Sequence, residues 1–104
     1  MYNYGKKYCC QYFFTYVRDH DEPYIRYGVT VTRRIGNAVV RNRAKRIMRE
    51  ALRQSAEYAE PGFEIVLVAR SDIKKVGFFP VLHQLKKHLF EKHSIHRKGK
   101  VLER

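Results

Sequence analysis

The sequence predicts an α+β fold, a two-layer sandwich in which helices pack on a small mixed β-sheet. Two segments alternate in the manner of strands, over residues 12–17 and 25–33. A segment with helical periodicity starts near residue 37, and an almost continuous apolar run covers residues 63–69. Because a strand, a helix and a strand follow one another, the middle of the chain predicts a β-α-β unit.

The length of the chain predicts one domain, and its positive charge is concentrated in two segments. The chain has 104 residues, enough for one modest core, and a formal net charge of +12. Residues 33–53 hold eight basic residues and one acid, residues 86–104 hold seven basic residues and two acids, and the remainder carries no net charge. A field localised in this way steers a polyanion to one surface.

The sequence disfavours several classes of protein. The chain has no apolar run long enough for a transmembrane helix and no secretory signal pattern, so we expect a cytoplasmic protein without a membrane partner. Cys9 and Cys10 have no second pair, which argues against a zinc site or a disulfide framework. We expect both cysteines to be buried or half-buried.

The aromatic and β-branched run over residues 12–17 predicts the first strand. Alternation gives this strand two different faces. One face carries Phe13, Thr15 and Val17, and the other carries Tyr12, Phe14 and Tyr16.

Residues 18–24 are polar and contain Pro23, which predicts a hairpin-type connection to a second strand over residues 25–33. If these strands pair, aromatic side chains lie beside polar and basic ones, an arrangement that suits single-stranded RNA. The alternative is that the aromatic side chains are ordinary core. The second strand points Ile25, Tyr27, Val29 and Val31 inward and Arg26, Thr30 and Thr32 outward.

The helix is expected to begin after Gly36, with Asn37 as its cap, and to run to about Tyr58. Its acids are nearly absent and arginine outnumbers lysine seven to one over residues 33–53, which favours a nucleic-acid surface over a merely solvated face. The apolar stripe consists of Val40, Ala44, Ile47, Met48, Ala51 and Leu52. The opposite, basic face consists of Asn42, Lys45, Arg46, Arg49 and Arg53, with Arg41 and Arg43 at its edges.

The remaining elements are a strand and a helix. Residues 63–69 are interrupted only by Glu64, which predicts an interior strand covered on both faces. Pro80 fits the first turn of a last helix. That helix is expected to bury Phe78, Leu82, Leu85 and Leu89.

Neither a metal site nor a protein active site is predicted. His93 and His96 have a possible ligand spacing, but neighbouring lysines oppose a dication. The acids form no paired motif and serine is scarce, so the residues give no catalytic set.

The segment TVTRRIGNAVVRNRAKR, over residues 30–46, resembles the signature of the protein subunit of bacterial ribonuclease P, with Arg49 and Glu50 following. Weaker similarity extends from Gly5 to about His93. The resemblance implies that the β-α-β unit has a left-handed crossover. It also implies that the RNA subunit is the catalyst with Mg²⁺, and that the protein alone binds no cofactor.

The resemblance further implies that the protein binds the ribonuclease P RNA subunit and the 5′ leader of precursor tRNA, with one copy per RNA. It assigns RNA contact to Arg33, Arg34, Asn37, Arg41, Asn42, Arg43, Lys45, Arg46 and Arg49, while Arg53 is added on helical position alone. The leader-facing sheet surface is expected to comprise Tyr12, Phe14, Tyr16, Arg26, Thr30 and Thr32.

The expected domain is a single RNA-binding domain over residues 1–93, with a basic, flexible tail over residues 94–104. Family members usually carry a first helix before the point that matches Gly5, and we expect this sequence to lack it, either because the true start lies upstream or has been trimmed away, or because this member works with half a cleft. A structural ribosomal protein and a major-groove DNA-binding module are the alternative functions. Precursor-tRNA cleavage discriminates against the first, and competition between duplex DNA and structured RNA against the second.

Overall fold

The computed structural model describes residues 5–19, 23–57 and 62–92. The predicted tail, the expected helix end at Tyr58 and the pair His93 and His96 lie outside these residues. The strands are β1 (Lys6–Cys9), β2 (Phe13–Asp19), β3 (Arg26–Thr30) and β4 (Phe63–Ala69), and the α-helices are α1 (Ala38–Ala56) and α2 (Phe78–Lys86). Short 3₁₀ helices cover Arg33–Ile35 and Ser71–Lys75, and a π-helical segment, Lys87–Lys92, continues α2.

The four strands form one sheet in the order β1-β2-β4-β3. β3 and β4 are parallel neighbours and α1 connects them, so the predicted β-α-β unit is present. β2 is antiparallel to both β1 and β4. The predicted mixed sheet with packed helices is therefore confirmed.

Both helices cover the same side of the sheet. The faces of β2 were predicted correctly, because Phe13, Thr15 and Val17 are buried beneath the helices. The predicted stripe of α1 also packs inward. The buried apolar residues are Phe13, Val17, Ile35, Ala44, Met48, Ala51, Leu52, Ile65, Leu67, Ile73, Val81, Leu85, Leu89 and Phe90.

The start of α1 forms as the sequence predicts. The side-chain oxygen of Asn37 accepts a hydrogen bond from the Val40 backbone N–H at 3.0 Å, which caps the helix. Gly36 has a φ of +158°, and a Cβ atom there would lie 3.0 Å from the Val40 side chain. A glycine is therefore required by both conformation and space at this turn.

The predicted pairing of the first two strands is wrong. β4 lies between β2 and β3, so the connection over residues 18–24 is not a hairpin. The second strand also ends at Thr30, and Arg33 belongs to a 3₁₀ helix instead of a strand. Tyr12 likewise precedes β2 instead of starting it.

Three predictions of burial are also wrong. β4 is interior in the sheet, but only one of its faces is covered; Val66 and Val68 are half-buried on the other. Tyr27 lies on the helix side of the sheet, yet 45% of its surface is exposed because β3 is an edge strand. Cys9 is exposed on the edge strand β1, which the sequence did not predict.

Candidate RNA interface

The basic face of α1 is directed away from the core. Arg46, Arg49 and Arg53 are exposed, as is Asn42, while Lys45 is half-buried. Helical periodicity directs these side chains away from the core, because the opposite side of the helix is buried there. The buried residues on that side are Ala44, Met48, Ala51 and Leu52. The result is a cationic strip along the solvent side of α1, suited to a phosphate backbone.

The two arginines at the edges of this face, Arg43 and Arg41, differ in their hydrogen bonding. The Arg43 guanidinium donates a hydrogen bond from Nη2 to the Val76 carbonyl oxygen at 3.2 Å, which ties α1 to the turn before α2. The Arg41 Nε is buried and has no hydrogen-bond acceptor among the described residues.

Arg53 differs from the other basic residues because acids neutralise it. Its Nε donates to the Glu50 carboxylate at 3.0 Å, its Nη2 donates to the same carboxylate, and Glu57 lies 4.0 Å from Nη1. The hydrogen bond from Arg53, with a second from Gln54, lowers the pKa of Glu50 from 4.5 to about 2. The same contacts with Glu50 raise the pKa of Arg53.

The side of the sheet that the helices do not cover is the open sheet face. Strand register places Val68 between Phe14 and Thr30, and Val66 between Tyr16 and Gly28. Phe14 and Tyr16 are both half-buried there, so their rings line an accessible surface as the sequence predicted.

A charged row borders these aromatic rings. The Arg18 Nε donates to the Glu64 carboxylate at 2.5 Å, and Arg26 lies opposite Glu64 on the other side. This ion pair explains the single acid in the apolar β4 segment. Two of the three charges in the row are positive, so the row keeps a net positive charge.

Two cations that the sequence analysis missed lie against Phe14. The Lys7 Nζ is 4.3 Å from the centroid of the Phe14 ring, and the Arg70 Cζ is 4.8 Å from it. Lys7 also lies 5.7 Å from the Tyr16 ring. Cation–π attraction holds these groups over the aromatic surface. Arg70 directly follows the apolar β4 run, and a cation at the end of a buried strand is the signal that could have found it.

A groove of about 580 Å³ lies between the open sheet face and the 3₁₀ helix that precedes α1. Phe14 and Arg70 lie on its sheet side, and Arg33 and Arg34 of the 3₁₀ turn lie on its other side. Thr32 also lines this groove. Tyr12, by contrast, packs partly against the core. Three arginines and a phenyl ring thus surround one open space.

A model of the ribonuclease P family matches residues 1–93. The chain belongs to the ribonuclease P protein family. It is 34% identical over 79 residues to the ribonuclease P protein component of Clostridioides difficile, covering 75% of this chain and 69% of the relative. It is 33% identical to that of Bacillus cereus over 94 residues, covering 89% and 81%.

Solved structures of ribonuclease P proteins share the fold. The protein from Thermotoga maritima is 32% identical with a TM-score of 0.74, over 84% of this chain and 83% of that one. A Staphylococcus aureus ribonuclease P protein structure has a TM-score of 0.73 at 23% identity, over 89% and 84% of the two chains, and supports the fold alone. The sequence resemblance is thereby confirmed, while the roles assigned to single residues and the hand of the crossover stay predictions.

None of the helices in the described part of the chain is long and apolar enough to cross a lipid bilayer. Within residues 5–19, 23–57 and 62–92, no three histidine, cysteine or acidic side chains come together in a way that would hold a metal ion.

Proposed function

We propose that this chain is the protein component of a ribonuclease P, that it docks on the RNA subunit through the basic face of α1, and that its open sheet face binds the 5′ leader of precursor tRNA. The holoenzyme hydrolyses the phosphodiester that joins the leader to the mature 5′ end. The protein contributes binding and orientation, and the RNA subunit performs the chemistry.

The groove between Phe14 and the Arg33–Arg34 turn carries this proposal. Its aromatic ring offers a stacking surface for a base, and its arginines offer charge for the adjoining phosphates. Because the turn leads directly into α1, the positive charge continues from the sheet to the helix. One strand of RNA can therefore contact the sheet while a structured RNA occupies the helix.

The Mg²⁺ of the reaction is assigned to the RNA subunit. The family resemblance implies that the RNA subunit would hold a divalent ion, which would supply Lewis-acid chemistry for hydrolysis of the phosphodiester. The described part of the protein brings no cluster of potential ligands together. We assign to this chain the positioning of the leader, through groove side chains such as Phe14 and Arg70.

Processing of precursor tRNA in vitro tests the proposal. The reaction combines precursor tRNA, the ribonuclease P RNA of the same organism and the purified chain at a low Mg²⁺ concentration. We expect cleavage at the mature 5′ end with both components, weak cleavage with RNA alone, and none with protein that has been freed of RNA.

Two results would contradict the proposal. One is that the protein fails to increase cleavage by the RNA subunit. The other is site-specific cleavage by the protein alone after thorough nuclease treatment and repurification. The same assay separates this function from ribosomal RNA binding, because a ribosomal protein has no reason to raise the rate of leader removal.

A further inference from the structure

A second groove lies on the helix side of the sheet, which is the side opposite the open sheet face. It has a volume of about 530 Å³ and lies between the edge strand β3 and the solvent side of α1. Register pairs Tyr27 with Ile65, a core residue, so the Tyr27 side chain points to the helix side. The lining residues are Tyr27, Gly28, Arg46, Arg49, Glu50 and Arg53.

Tyr27 is unusual for a residue on the covered side of a sheet. Its neighbours in register are buried, yet 45% of the tyrosine surface is accessible. β3 is the last strand of the sheet, so no further strand covers the ring. An accessible ring at the floor of a groove is a stacking surface for a planar ligand.

The net positive charge of this groove favours an anionic ligand. Arg46 and Arg49 have no hydrogen-bond or ion-pair partner among the residues that the structure describes. Glu50, the one acid of the lining, is paired with Arg53, which also lines the groove, so the lining keeps a net positive charge. Two arginines beside a tyrosine ring remain, and guanidinium groups suit phosphate oxygens.

We infer that this groove binds an unpaired nucleotide of the ribonuclease P RNA, with its base stacked on Tyr27 and its phosphates bound by Arg46 and Arg49. This inference rests on the proposed function and deepens it. The chain then contacts RNA on both sides of β3: at the open sheet face and, separately, between β3 and α1. Tyr27 is the residue that distinguishes this site from general attraction to the basic face of α1.

Tryptophan fluorescence tests the inference directly, because the chain contains no tryptophan. The variant Tyr27→Trp places a single indole in the groove, and Tyr24→Trp places one outside it at a residue of similar exposure, 50%. Both are titrated with transcribed ribonuclease P RNA, while gel retardation follows binding independently. We expect quenching in Tyr27→Trp and an unchanged signal in Tyr24→Trp.

Affinity gives the second measurement. Tyr27→Ala is expected to weaken binding of the RNA about five- to 150-fold, the value of one stacked base of about 1–3 kcal/mol, while Tyr27→Phe stays within about twofold of the wild type. Circular dichroism checks that each variant is folded. Tyr27→Phe and Tyr27→Trp keep the test valid if the alanine variant is unfolded.

The inference requires both the selective quenching and the dependence on an aromatic ring. Bound RNA that leaves the Tyr27→Trp signal unchanged, equal quenching in both tryptophan variants, or a folded Tyr27→Ala that binds as well as the wild type would each overturn it. Cleavage of precursor tRNA by the wild-type holoenzyme is measured in parallel. If cleavage is supported but quenching is absent, the groove assignment fails alone; if the chain does not support cleavage, the proposed function fails.

Discussion

Thr15 and His88 are joined by a hydrogen bond in the core, where the Thr15 Oγ1 lies 2.8 Å from the His88 Nδ1 and both side chains are almost inaccessible. The edge of the His88 ring also meets Phe13, with ring centroids 5.6 Å apart. This contact attaches the π-helical segment Lys87–Lys92 to β2. Since β2 carries Phe14 on its opposite face, the same strand anchors a helix and presents the surface proposed to bind the leader.

The first prediction concerns this hydrogen bond. Thr15→Val keeps the shape of the side chain but leaves a buried nitrogen of His88 without its partner, so the free energy of unfolding is expected to fall by about 1–3 kcal/mol. Urea denaturation measures it. In a His88→Phe background the same substitution should cost less, because no buried nitrogen is left unpaired. An equal cost in both backgrounds would contradict a direct contribution of the hydrogen bond.

The second prediction is the acid titration of Glu50. Its pKa in the folded protein is lowered from 4.5 to about 2, chiefly by the hydrogen bond from Arg53. Because the folded value is the lower one, the stabilisation is present above about pH 4.5 and is lost as the pH falls towards 2. NMR of the carboxyl carbon should show this midpoint, and Arg53→Ala should move it upward. A midpoint near 4.5 in the wild type would contradict the ion pair.

The third prediction ranks two arginines on the same helix face. Arg49 has no acid partner among the described residues, whereas Glu50 neutralises Arg53. We therefore expect Arg49→Ala to reduce the slope of log K against log salt for RNA binding by about 0.7–0.9, and Arg53→Ala to reduce it less. Filter binding over a range of salt concentrations measures both slopes. A larger reduction in Arg53→Ala would show that RNA displaces Glu50 from Arg53.

The fourth prediction compares neighbouring lysines on β1. Lys7 lies over the rings of Phe14 and Tyr16, whereas strand alternation directs Lys6 to the other side of the sheet. Lys7→Ala should lower the affinity of the holoenzyme for precursor tRNA relative to mature tRNA, and Lys6→Ala, with the same loss of charge, should not. The ratio of the two dissociation constants is the measurement. Equal ratios in the two variants would remove Lys7 from the leader surface.

The sequence alone determined where α1 begins and how its apolar and basic faces are divided. The cap by Asn37, the glycine before it and the division between apolar and basic faces all depend on residues within a few turns, so the sequence alone predicts them. The two faces of β2 were predictable for the same reason, because alternation is a property of one strand. The family signature lies in this same local segment.

Tertiary structure decided which strands are neighbours. Pairing joins residues far apart in the chain, and alternation carries no information about the partner. The insertion of β4 between β2 and β3 therefore could not be read from the sequence. That insertion places Val66 beside Tyr16 and Val68 beside Phe14 on the open sheet face, and leaves Tyr27 uncovered on an edge strand next to the arginines of α1. Arg70 reaches Phe14 for the same reason, since β4 ends beside the start of β2.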